Sequence, residues 1–281
     1  MRLSIKSLFV SFGGFILLSL AACASSENAA DRAAVCKNRF ENAEKRFKNK
    51  EFSRAKAPLD EILAYCAGTG YMEQAQFLLA ETHFNLKEWL EARGEYSSFA
   101  MNFPSSPYIE TAEYRKAVSS FNMKYHIARD ESNTNQAMKD FERFASNYPE
   151  SPLLDSVNYY LGQLTERLAE RDFQIARLYF RIDEPQAAII YLKEFLTFYP
   201  KSKRLKDVTS LLIQSYTLLD QFESARSYLS FAREIGVSDK EYQEDINDLE
   251  KDIQKAEVKF EKKLKKEQKQ KLLYKEESNA S

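Results

Sequence analysis

The stretch AIIYLKEFLTFYP, residues 188–200, decides the fold. It starts from the small residue Ala188. Leu192 follows four residues on, Phe195 seven on and Tyr199 eleven on, and Pro200 closes it. Those offsets fall on one face of a 3.6-residue helix. The proline ends that helix, because it lacks an N–H and its ring clashes with the preceding turn. The same punctuation recurs twice. Ala92 leads to Tyr96, Phe99, Phe103 and Pro104, and Ala137 leads to Phe141, Phe144, Tyr148 and Pro149.

Two weaker copies flank these three. Ala55 is followed by Leu59 and Ile62, with Cys66 in the aromatic's place. Ala225 is followed by Leu229 and Ala232, then by Gly236, a natural helix stop. A repeat of about 34 residues carrying A-x3-F…P is the tetratricopeptide signature. That repeat needs a second helix ahead of each anchor. LLAETHFNL precedes Ala92 and IARLYFRI precedes Ala188, with small residues (Ala43, Ala80, Ala176) where two helices must approach closely. The expected fold is all-α: a right-handed solenoid of five tetratricopeptide-like hairpins over residues 32–235, each unit burying its face against its neighbours. Residues 236–281 are expected to form a long charged C-terminal helix and tail.

The first 22 residues read as a segment apart from the fold. Arg2 and Lys6 form a basic start, and LFVSFGGFILLSL, residues 8–20, is an apolar run too short to span a membrane comfortably. The run ends in LAAC, residues 20–23. Small residues before a cysteine resemble the bacterial lipobox, which implies that Cys23 becomes the lipidated N-terminus of the mature chain. An ordinary secretory signal with an incidental Cys23 is the alternative. Ala24 after the cysteine resembles the outer-membrane sorting pattern of enteric-type lipoproteins, and residues 23–31 read as a lipidated tether.

Composition narrows the function. Charged residues make up 30% and aromatics 13%, which supplies both a core and a solvated surface. Without the first 22 residues, 39 basic side chains face 42 acidic ones, and nothing points to nucleic acid. His83 and His126 are the only histidines, and neither has metal-ligand company. Nucleophile-elbow, Walker and dinucleotide-binding motifs are all missing from the sequence. We therefore expect no enzyme, no metal and no cofactor. Cys36 and Cys66 lie about equidistant from a hairpin turn near Lys50 and Glu51, so an antiparallel pair would bring them face to face. An exported location permits the disulfide, and two unpaired buried thiols are the alternative.

Three segments depart from the strict repeat. RDESNTNQ, residues 129–136, reads as an inserted polar loop before Ala137. From Pro152 to Ile182 the sequence reads as one helix of about 31 residues, roughly 46 Å long. In the charged tail, Ile246, Leu249, Ile253, Ala256 and Phe260 keep a three-four spacing. That half suits either a cap on the solenoid or a coiled-coil partner. EKKLKKEQKQK, residues 261–271, reads as a solvated end or a contact for anionic headgroups.

One candidate site remains, an aromatic stripe on the first helix of each repeat. Phe40 and Phe47, Phe77 and Phe84, and Phe173 and Phe180 stand fifteen and eight residues before their anchors. Tyr114 and Phe121 repeat the seven-residue spacing. Glu81 shares the face of Phe77 and Phe84. In tetratricopeptide repeats this face lines a concave groove, where the stripe would bind an extended peptide. The same spacing also suits a packed core.

The lipobox, the five repeats and the punctuation NFPSSPYIETAEY, NYPESPLLDSVNYYLG and FYPKSKRLKDV together resemble the BamD family. Its members are outer-membrane lipoproteins of the β-barrel assembly machine. The resemblance covers about residues 23–235. It implies a non-enzymatic subunit, lipid-anchored at the periplasmic face. Its partners would be the barrel-forming subunit with its periplasmic repeats, nascent outer-membrane protein peptides and other assembly lipoproteins. A scaffold lipoprotein of pilus biogenesis or cell-wall synthesis is the alternative.

Overall fold

A computed structural model describes residues 27–123 and 131–279. Residues 1–22, Cys23 and His126 lie outside the described residues. The described residues form eleven helices and no strand. They divide into two compact units on either side of Met123. The first holds α1 (Glu27–Lys48), α2 (Phe52–Tyr65), α3 (Met72–Asn85), α4 (Trp89–Asn102) and α5 (Ile109–Asn122). The second holds α6 (Glu131–Asn147), α7 (Leu154–Arg181), α8 (Pro185–Phe198), α9 (Leu205–Leu218), α10 (Phe222–Ile235) and α11 (Lys240–Asn279).

The anchor pattern builds the core directly. Ala55, Ala92, Ala137, Ala188 and Ala225 have no exposed surface, nor have Ala43, Ala80 and Ala176 on the preceding helices. With only a methyl group at the crossing, the two helices of a hairpin approach closely. The larger residues at the fourth and seventh offsets then fill the space beside it. Leu59, Tyr96, Phe141, Leu192, Ile62, Phe99 and Phe144 are fully buried. Each such side chain contributes about 1.5–3 kcal/mol relative to exposure. Helices pair as α1 with α2, α3 with α4, α7 with α8 and α9 with α10, while α5 packs on α4 and α6 on α7.

The four paired hairpins turn in one way. Lys50, Lys87, Asp183 and Asp220 each adopt a left-handed backbone, with φ of 61°, 60°, 62° and 57°. In the first turn, the Lys50 N–H donates to the Phe47 carbonyl at 2.8 Å and the Glu51 N–H to the Arg46 carbonyl at 2.9 Å. This is the Schellman arrangement, which satisfies carbonyls left over at a helix end. The same two bonds recur at Lys87–Glu88, Asp183–Glu184 and Asp220–Gln221.

The proline turns also repeat. Ser106, Ser151 and Ser202 accept a hydrogen bond at Oγ from the backbone N–H two residues on, at 3.1, 3.1 and 3.2 Å. Ser106 thus caps a turn, and Pro107 stands in that turn rather than at the first position of α5, which starts at Ile109.

Two local readings need correction. Residues 27–31, assigned above to a tether, already belong to α1. They combine alanines with Glu27 and Asp31, acidic residues that favour a helix N-terminus. Within the expected polar loop, Glu131–Gln136 is the start of α6. Its Gln136 amide bonds to the buried Asp140 carboxylate one turn on, so polarity here marks a helix flank rather than a loop. The long helix is present as α7, 28 residues.

The proximal half of α11 belongs to the second unit. Tyr242, Ile246, Leu249 and Ile253 are buried in one cluster with Leu212, Ile213 and Leu229. Arg226 grips Glu257, and Arg233 holds Glu250 at 2.8 Å. Gly236 makes the junction possible. A Cβ there would stand 2.3 Å from the Tyr242 ring.

Candidate functional site

The aromatic stripe is half-buried along most of its length, and Phe173 is buried outright. Phe40, Phe47, Phe77, Phe84, Tyr114 and Phe121 are neither fully enclosed nor open to solvent. In the described contacts one geometric rule accounts for this. A first-helix phenylalanine is covered by the residue 31 positions later, which comes from the next repeat. Phe40 meets Tyr71, ring centroids 5.6 Å apart. Phe77 stacks on Tyr108 at 4.7 Å. The Arg115 guanidinium lies 4.6 Å above the Phe84 ring, and that of Arg204 lies 5.2 Å above Phe173. At Phe40, Phe77, Phe84 and Phe173 the stripe is therefore a seam between consecutive repeats.

Glu81 sits inside this seam. The buried Tyr96 hydroxyl donates to its Oε1 at 2.5 Å, and the Arg115 Nε lies 3.2 Å from the same oxygen. Burial and the Glu81 charge push the Tyr96 hydroxyl pKa well up, so it stays a donor. Glu81 thus joins α3 to α4 and α5. Phe84 completes the cluster, edge-on to Trp89 at 5.4 Å. A second charged cluster ties α2 to the α3–α4 turn. Lys56 Nζ donates to Glu88 at 2.9 Å, and His83 Nδ1 stands 2.6 Å from the same carboxylate oxygen. The Lys56 bond holds the Glu88 carboxyl below its ordinary value. Phe47 packs on Phe52 across the first turn, centroids 5.2 Å apart. Cys36 and Cys66 are bonded between α1 and α2, with Cα atoms 5.9 Å apart.

The second unit carries a cleft over the corresponding face. A cleft of about 530 Å³ lies between α7, α9 and α11. Phe173 and Ser210, both fifteen residues before an anchor, line it. Its walls carry opposite charges. Arg177 and Arg204 stand against Asp207, Asp245 and Asp248. Arg204 Nε donates to Glu170 at 2.6 Å, and its Nη1 to Asp207 at 2.8 Å. These bonds hold the Glu170 carboxyl below its ordinary range and the guanidinium firmly charged. Arg177, Asp245 and Asp248 are exposed. The cleft can therefore take a polypeptide segment with both acidic and basic side chains. The sequence signal for its far wall was the three-four spacing of α11, which left cap and coiled coil equally open.

Among the described residues no group of three His, Cys, Asp or Glu side chains could hold a metal ion. No described helix is long and apolar enough to cross a membrane.

Comparison with known proteins gives a family. The model of the YfiO family, described as outer membrane lipoprotein, matches residues 32–229. No protein of curated function matches. Among solved structures, the chain is similar to a thermophilic tetratricopeptide protein of Thermus thermophilus. They share 14% identity over 76% of this chain and 98% of that one, with a TM-score of 0.33. A tetratricopeptide repeat protein of Parabacteroides merdae shares 13% over 82% and 78%, with a TM-score of 0.35. The pilF protein of Pseudomonas aeruginosa shares 13% over 84% and 93%, with a TM-score of 0.29.

Proposed function

Since the chain belongs to the YfiO family of outer membrane lipoproteins, we propose that it is a non-enzymatic subunit of the β-barrel assembly machine. In this reading residues 1–22 are a signal peptide and Cys23 carries the lipid. Only the three residues 24–26 separate Cys23 from α1. Four residue steps extend at most about 14 Å. The anchor would thus hold the first hairpin against the periplasmic face of the outer membrane. The Cys36–Cys66 bond would keep that hairpin closed under the pull.

The observation that carries the reading is the family match over most of the chain. Two features suit a docking role: hairpins rigidified by repeated caps, and an open two-signed cleft. We assign the two-signed cleft to a segment of mixed charge on the barrel-forming subunit's periplasmic repeats. The first unit is assigned to nascent outer-membrane peptides, and the remaining surface to other assembly lipoproteins. Peptide aromatics reaching the first unit would compete with Tyr71 and Tyr108 for the stripe.

Affinity purification of the full chain from detergent-solubilised outer membranes tests this. Recovery of a large barrel protein with periplasmic repeats supports the assignment. Recovery of pilus-biogenesis or wall-synthesis proteins in its place would move the same scaffold to another envelope machine.

A further inference from the structure

Helix α11 changes character at Phe260. Up to that residue it is packed and acid-rich: seven carboxylates stand against four lysines over residues 240–260. Among the described residues Phe260 makes the last ring contact of the helix, with Phe222 at 5.8 Å. From Glu261 to Leu273 every residue is exposed, and the helix continues. Over residues 262–271 six lysines accompany one glutamate, Glu267. Leu264, Leu272 and Leu273 lie among them, 39%, 61% and 49% exposed. The family match ends at residue 229, before this arm.

The only lysine-free line on this arm is Leu264, Gln268 and Leu272 at four-residue steps, with two leucines and a polar residue between them, which is too little apolar face to fill a protein groove. The arm also lacks the repeated apolar seam of a coiled coil. A dense positive array of this kind instead suits a diffuse negative surface, where each lysine gains from the surface potential without fixed geometry. A protein of an outer-membrane lipoprotein family works beside such a surface. We propose that the distal arm of α11, Lys262–Leu273, binds anionic phospholipid headgroups, with Leu272 and Leu273 entering the interface.

The test uses the full mature chain in vesicles of phosphatidylcholine, alone or mixed with phosphatidylglycerol. Modification of each lysine by a membrane-impermeant amine reagent is followed by mass spectrometry. Flotation with the neutral vesicles reports the lipid anchor, and the lysine footprint reports the arm, so the two can fail independently. Lysines 262, 263, 265, 266, 269 and 271 should each react about fivefold more slowly on the anionic vesicles. Raised salt should abolish the difference. Replacing Lys262, Lys263, Lys265 and Lys266 by Gln should remove the protection from Lys269 and Lys271 while helicity is retained. Equal rates on both vesicles would overturn the proposal. Protection on both vesicles that grows with protein density would overturn it in favour of contact between copies.

Discussion

Phe84→Ala discriminates between an open groove and an inter-repeat seam. The ring lies half-buried against the cluster of Ala80, Ala92, Tyr96 and Phe99. It meets Trp89 edge-on at 5.4 Å and Tyr96 at 6.3 Å, and carries the Arg115 guanidinium at 4.6 Å. Truncating a fully buried Phe costs about 3–5 kcal/mol. Half-burial reduces that, while the cation–π contact adds about 0.5–1 kcal/mol. We expect a loss of about 2–3 kcal/mol from the first unit. Trp89 is the chain's single tryptophan and lies in that unit, so its fluorescence during urea unfolding reports the right transition. With an m-value near the upper end for small proteins, about 3 kcal/mol per molar, the midpoint should fall by roughly 1 M. Met101→Ala, at a side chain 73% exposed, should stay within about 0.5 kcal/mol. If Phe84→Ala also stays within that range, the ring is not part of the seam and belongs to an open surface.

Three further outcomes are expected. Reduction should add two hydrogens to the intact mass, and Cys36→Ser should lower the first unit's stability by about 3–4 kcal/mol, from a closed loop of 30 residues. Lys87→Gly should raise the melting temperature, gaining about 0.5–1 kcal/mol, because the left-handed turn penalises any side chain there, and Lys87→Val should lower it. Glu88 has a folded pKa below its ordinary 4.5. Its link to Lys56 therefore contributes fully above pH 4.5 and is lost as the pH falls through the folded value. Urea midpoints across acid pH should show that loss, and Glu88→Gln should flatten it.

The core of this fold was legible because one small residue per repeat sets the helix separation and fixes where the large residues go. Ala188, Leu192 and Phe195 are buried as their spacing requires. The Schellman turns were not legible as a set, since Lys50 and Lys87 stand where Gly or Asn would signal a left-handed backbone, and only Asp183 and Asp220 are of a type that favours it. The stripe was legible as a periodicity but not as an environment. What covers Phe77 is Tyr108, and the pairing appears only when positions 31 apart are compared across repeats. Polar content misled at residues 131–136, where a helix flank and a loop have the same composition. The cleft escaped because α11 supplies its far wall, with Tyr242, Asp245 and Asp248.

The central claim is that the α7–α9–α11 cleft docks a barrel-assembly partner. A photo-cross-linking residue in place of Gln214, which lines the cleft, tests it most directly in intact cells. The account predicts one dominant adduct, to a large outer-membrane barrel protein through its periplasmic repeats, and loss of that adduct in an Asp245→Lys, Asp248→Lys chain that still folds. An adduct to a pilus or wall-synthesis protein would contradict it, as would a barrel adduct unaffected by those charge reversals.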